Sequence, residues 1–267
     1  MIKSVLANGK ETMMFNTVHI LYMLISGFIG AGLLVLLKIK DSERINLYAL
    51  RTLAILTVII HFSSLIANLI TTGELGMTAA IIVPIHPCNV CMWLLVISSF
   101  TARSEGRVAV AIREFTFLGG TVCGAIGTIF NENFGNNPTL TDYSILKGLL
   151  SHSTMVLGCI LLFTAGFVKI RLLGNLVSVA SGLMLFVADG LIINTVYALL
   201  GMPECNSMYL LEAPFPALPW LNTLVIGIFA LTVVFIIGAI YEWLALPREE
   251  RWYSVIFSKQ KKKENEL

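Results

Sequence analysis

Long apolar runs decide what this chain can become. Seven stretches, at residues 17–37, 47–71, 84–102, 108–130, 145–168, 173–200 and 220–245, carry few charges. A helix needs about 20 such residues to cross a hydrocarbon core. Inside lipid the backbone must satisfy its own hydrogen bonds, so these runs read as helices rather than loops or open sheets. Composition agrees: 57% of the 267 residues are hydrophobic and 13% are charged. That is roughly half the charged share of a soluble domain. It excludes a soluble globular enzyme, a disordered chain and a secreted disulfide scaffold. The five cysteines are odd in number and sit mostly inside apolar runs, so they are no disulfide framework. A net charge of +2 is too balanced for a nucleic-acid partner.

The connections sort by charge. Lys38, Lys40, Arg44, Arg103, Arg107, Lys169 and Arg171 follow the first, third and fifth runs, and Arg248, Arg251, Lys259, Lys261, Lys262 and Lys263 follow the seventh. The alternate connections, 72–83, 131–144 and 201–219, hold no Lys or Arg but carry Glu74, Glu132, Asp142, Glu204 and Glu212. Lys3 and Lys10 precede the first run, and Lys147 lies at the edge of the fifth. The positive-inside rule then puts the N-terminus outside and the C-terminus in the cytoplasm, which requires an odd number of spans. The expected fold is all-α: a polytopic bundle of seven transmembrane helices over residues 1–245, with a basic cytoplasmic tail at 246–267. That tail is attracted to anionic lipid, anchors topology and needs no specific partner. The cell (plasma) membrane is the expected location.

This orientation gives each polar residue a depth. His19, His61, His86 and His152 all fall in the outer half or near the centre, which favours a site opening outward. Arg51, Arg113 and Glu114 lie near cytoplasmic helix ends, where Arg can snorkel, and receive no function. Asp189 stands mid-span, where a carboxylate is costly unless protonated or paired. His61 has the same depth, so a buried polar pair of His61 and Asp189 is expected. Protonated Asp189 bonded to Ser or Thr hydroxyls is the alternative.

The segment Pro84-Ile85-His86-Pro87-Cys88-Asn89-Val90-Cys91 carries the most chemistry. Proline disfavours the α conformation in the residue before it, so His86 is expected to be extended. Pro87 can then be the first helical residue, leaving Cys88 second, where free N–H groups and the positive dipole end favour a thiolate. If the helix begins at Pro84 instead, Cys88 lies one turn further in. The third span is thus expected to be short or broken at its outer end, with 77–83 folded above it. A thiol beside an imidazole suits nucleophilic acyl chemistry through a thioester. A cysteine in a membrane helix otherwise serves as small apolar filler. Cys88-x-x-Cys91 also suits thiol–disulfide exchange, with Cys205 as a third thiol. Haem attachment fails because Met92 follows Cys91, and a metal site from His86, Cys88 and Cys91 lacks a fourth ligand, so no metal and no cofactor is expected.

The chain resembles the YwaF and transmembrane protein 164 family of multipass proteins. The likeness rests on Pro84-x-His86-x-Cys88, on Ser151-His152, and on Asn206-Ser207-Met208-Tyr209-Leu210 followed by Pro214, Pro216, Pro219 and Trp220. An animal member is regarded as a cysteine acyltransferase of ether phospholipids. The resemblance implies Cys88 as nucleophile and His152 as base, acting on membrane lipid and its acyl chains. The chain has Asn89 where the animal members have histidine, and it adds Cys91. The expected function is therefore a cysteine-dependent lipid acyltransferase or hydrolase. A membrane thiol–disulfide oxidoreductase and a non-enzymatic ligand-binding protein are the alternatives. For the nucleophile to work, the third and fifth spans must be neighbours and the 204–220 loop must fold over them. His86, Asn89, Asn206 and Tyr209 are then candidate binding residues.

Overall fold

The computed structural model describes residues 15, 17–73, 79–130, 143–214, 218–220 and 222–256. Lys3, Lys10, Glu74, Glu132, Asp142, Pro216 and the tail lysines at 259–263 lie outside the described residues, as do Met77 and Thr78 of the 77–83 segment. Among the described residues the regular elements are all helical. They are α1 (Thr17–Lys40), α2 (Glu43–Thr72), α3 (Ala79–Ile82), α4 (Pro87–Phe100), α5 (Arg107–Phe115), α6 (Thr121–Ile129), α7 (Tyr143–Thr164), α8 (Leu172–Leu199) and α9 (Thr223–Ala245). A π-helical turn, Thr116–Gly120, joins α5 and α6 into one rod.

Among the described residues, six helices are long and apolar enough to cross a membrane: α1, α2, the α5–α6 rod, α7, α8 and α9. The expected count of seven gives way to six full-length helices and a short one, because α4 has only 14 residues. At the helical rise that is about 21 Å against a core of about 30 Å. The proline pair is the cause. His86 takes extended dihedrals (φ −106°, ψ 149°) and α4 starts at Pro87. An ion pair of 2.7 Å between Arg103 and Glu43 brings the exit of α4 to the start of α2.

Burial ranks the helices. Half of the apolar window of α7 is buried inside the protein, against 6% for α1 and for α9. The helix α7 is therefore the centre, and α1 and α9 turn most of their apolar surface outward, as lipid-facing helices do. Short polar bonds tie α7 to its neighbours: Tyr22 to Ser153 at 3.0 Å and Thr57 to Thr154 at 3.0 Å. Glycines let α7 approach closely, a device suited to membranes, where packing replaces the hydrophobic drive. A Cβ on Gly124 would meet Val156 at 2.7 Å, and one on Gly158 would meet Leu95 at 2.9 Å. The second of these contacts is between α4 and α7.

The charged connections gather at one end. Lys38, Lys169 and Arg171 line one cavity there, while Arg44, Arg51 and Arg103 line another. Snorkelling does not describe Arg113, which is buried and donates to the carbonyls of Thr101 at 2.6 Å and Phe167 at 3.2 Å. It clamps two connections together. Arg51 likewise donates to Ser99 at 3.4 Å and lies over the Phe100 ring. Glu114 is also buried, where it accepts from the Ser178 hydroxyl at 2.5 Å. Glu242, buried in α9, accepts from the N–H groups of Leu172 and Trp252, both at 2.6 Å, and so satisfies an orphan donor at the start of α8.

Candidate functional site

The opposite end of the bundle holds the histidines and Cys88. As the second residue of α4, Cys88 sits in the first turn of a helix with no side-chain cap. It is half-buried, and its thiol donates to Asn89 Oδ1 at 3.6 Å. Asn89 is itself buried, so its carbonyl orients the sulfur. His86, the residue before the helix, stacks on Tyr209 with ring centroids 5.6 Å apart.

His152 lies on α7 and is half-buried. Its Nδ1 donates to the carbonyl of Gly148, one turn back, at 2.8 Å. A backbone carbonyl only accepts, so the bond assigns the proton to Nδ1 and leaves the lone pair on Nε2. The ring lies flat on the α6 backbone: a Cβ on Gly127 would come within 2.4 Å of Nε2. Gly127 is thus the seat of the imidazole. Sequence reasoning missed it, since a glycine in an apolar helix carries no local signal of what crosses it.

Lys147, five residues before His152 on the same helix, was also missed as a site residue. It lies within electrostatic range of Cys88, His61 and His152. The imidazoles of His61 and His86 in turn lie within range of His152. Lys147 thus stands between two groups, Cys88 at the head of α4 on one side and His152 and His61, on α7 and α2, on the other.

Two expectations change. His61 and Asp189 form no ion pair among the described residues. The Nε2 of His61 instead donates to the carbonyl of Ile81 in α3 at 3.0 Å, pinning that short helix above α4. Asp189 keeps a buried Oδ2 with no partner among the described residues. Equal depth did not imply equal bearing around the bundle. His19 is fully buried and donates to the carbonyl of Thr128 at 2.9 Å, so it serves as polar glue between α1 and α6.

The 204–212 loop folds onto the head of α4. Ser207 is fully buried; its hydroxyl donates to the Ile85 carbonyl at 3.2 Å, and Met208 N–H donates there at 2.9 Å. Asn194 of α8, which sequence reasoning did not single out, holds the loop from below: its Oδ1 accepts from Ser207 N–H at 2.8 Å. The loop also presses Leu210 into a groove at Gly190, where a Cβ would meet it at 2.6 Å. Asn206 is committed to its own loop. Its Oδ1 accepts from Leu211 and Glu212 N–H at 3.0 and 3.1 Å, and its Nδ2 donates to Glu212 at 2.9 Å. It shapes the loop that delivers Tyr209 to His86.

The thiols divide into kinds. Cys91 is fully buried and lies against Cys123 and Cys159 in the core. The Cys205 thiol donates to Asn194 Oδ1 at 3.5 Å, and burial pushes it above the usual cysteine range, which disfavours it as a nucleophile. Cys88 alone combines partial exposure, a helix N-terminus and a neighbouring lysine. Among the described residues, no group of His, Cys, Asp and Glu has the geometry to hold a metal ion.

The model of the TMEM164 family matches residues 14–257. No curated protein and no solved structure matches the chain.

Proposed function

The chain belongs to the TMEM164 family of multipass membrane proteins, and from that premise we propose that it is a lipid acyltransferase or hydrolase working through a thioester on Cys88. One observation carries the reading. The Nδ1 proton of His152 is held by Gly148, so Nε2 offers a lone pair, and Lys147 lies within electrostatic range of both His152 and Cys88. Nε2 takes the Cys88 proton, while the start of α4 and the charge of Lys147 favour the thiolate. The thiolate attacks an ester carbonyl of a phospholipid. A carbon–sulfur bond forms, the ester carbon–oxygen bond breaks, and the imidazolium returns its proton to the departing lysolipid oxygen. In the second half Nε2 deprotonates water or an acceptor hydroxyl. That oxygen attacks the thioester, and the thiolate leaves and regains its proton. Water gives a hydrolase and a lysolipid hydroxyl gives a transferase.

The proposed setting is a seven-pass topology in the cell membrane, with the N-terminus outside and α4 as the short pass. Phospholipid liposomes containing the protein should then release lysophospholipid or exchange acyl chains. Cys88→Ala and His152→Gln should each lower that rate by roughly 100-fold or more. Unchanged turnover in Cys88→Ala would end the reading. A thiol–disulfide oxidoreductase has one observation in its favour: half-buried Cys88 and fully buried Cys91, one turn apart, match an attacking and a resolving thiol. It predicts reduction of a disulfide substrate that depends on both cysteines.

A further inference from the structure

A second site lies at the basic end, far from Cys88 along α7. The connection after α1, the start of α2 and the connection after α7 line an open cavity of about 690 Å³. Lys38, Lys169 and Arg171 line it, against one carboxylate, Asp41. Its apolar side is formed by Leu34 and Val35 of α1, a helix that turns apolar surface to lipid, and by Phe163 at the end of α7. The cavity therefore opens where a headgroup meets its acyl chains.

Lysines at a membrane boundary ordinarily do no more than hold topology. Two buried atoms point further. Asn46, 8% exposed, lines the cavity with its Oδ1 buried and unpartnered among the described residues. Arg171 lines it too. Its Nη2 is spent on Glu250 at 2.7 Å, but its Nη1 is buried and unpartnered among the described residues. One is an acceptor and the other a charged donor, and leaving either dry and unpaired is costly. A ligand that offers an anionic oxygen to Arg171 and a hydroxyl to Asn46 satisfies each once its entry displaces the side chains that cover these atoms.

We propose that this cavity binds the headgroup of an anionic phospholipid bearing a hydroxyl, of the phosphatidylglycerol class. The phosphate sits between Arg171 and the two lysines, a headgroup hydroxyl donates to Asn46 Oδ1, and the acyl chains run along Leu34 and Val35. The excess of positive charge on the walls selects against zwitterionic lipids. The site is independent of the chemistry at Cys88.

Native mass spectrometry of the full chain, released from detergent with phosphatidylglycerol, phosphatidylcholine or phosphatidic acid, tests this. The intact chain should retain phosphatidylglycerol in preference to phosphatidylcholine. The double variant Lys38→Gln/Lys169→Gln, whose changes fall on exposed side chains, should lose that retention by at least about tenfold. A control, Lys40→Gln/Arg107→Gln, removes the same charge outside the cavity and should keep it. Asn46→Leu should lower the preference for phosphatidylglycerol over phosphatidic acid, which has no headgroup alcohol. Inorganic phosphate at millimolar concentration should not displace the lipid. Equal retention of phosphatidylcholine, equal losses in the control, an unaltered Asn46→Leu preference, or displacement by free phosphate would each overturn the proposal.

Discussion

Gly127 has no side chain where the imidazole of His152 lies, and a methyl group there would stand 2.4 Å from Nε2. Gly127→Ala must therefore push the ring off its seat. The expected cost is about 1–3 kcal/mol, as for other overpacked sites. A double-mutant cycle separates this from helix propensity: the cost should largely vanish in a His152→Ala background, read by thermal unfolding in detergent. A penalty that persists there would mean that the ring and the glycine are uncoupled. The same residues mark what a sequence can reveal. Pro87 announced the extended His86 and the helical place of Cys88, because proline acts on its immediate neighbours. The partners of His61 and Asp189 stayed hidden: helical rise fixes how deep a residue sits, not which neighbour it faces. Gly127, Lys147 and Asn194 stayed hidden for a related reason, since each acquires its role only from another helix.

Among the elements, α4 and the loop laid on it behave as one unit. The loop reaches the α4 head through Ser207 and Met208 at the Ile85 carbonyl, and Asn194 anchors it to α8. Asn194→Leu keeps the bulk but removes the acceptor of the Ser207 N–H. It should destabilise the loop by about 1–3 kcal/mol, the range for a buried donor left unmade. Hydrogen exchange should then quicken at residues 204–212 and in the first turn of α4, with α7 unaffected. Faster exchange throughout the bundle would contradict this local coupling. The long helices were legible from their apolar runs. The π-helical turn between α5 and α6 was not read, although the pair Gly119-Gly120 at its end is a weak point for regular helix. What sets it apart lies across the interface, where Phe115 occupies the space that a Cβ on Gly182 would need, at 2.1 Å.

The whole molecule is polarised, with basic connections at one end and the thiol–imidazole cluster at the other. The charge pattern of the loops disclosed this in the sequence, because Lys and Arg are sorted by the membrane itself. Impermeant maleimide tests the orientation. With Cys88 and Cys205 replaced by serine, Met202→Cys should label in intact cells, and Glu105→Cys should label only after permeabilisation. Labelling of both from one side would overturn the topology. The central claim, that Cys88 carries an acyl group during turnover, has a more direct measurement. The protein is mixed with a phospholipid bearing an isotopically labelled acyl chain, quenched in acid and analysed by peptide mass spectrometry. The account predicts a labelled acyl mass on the peptide that contains Cys88, removed by neutral hydroxylamine and absent in His152→Gln. A Cys88–Cys91 disulfide with no acyl mass under the same conditions would contradict it.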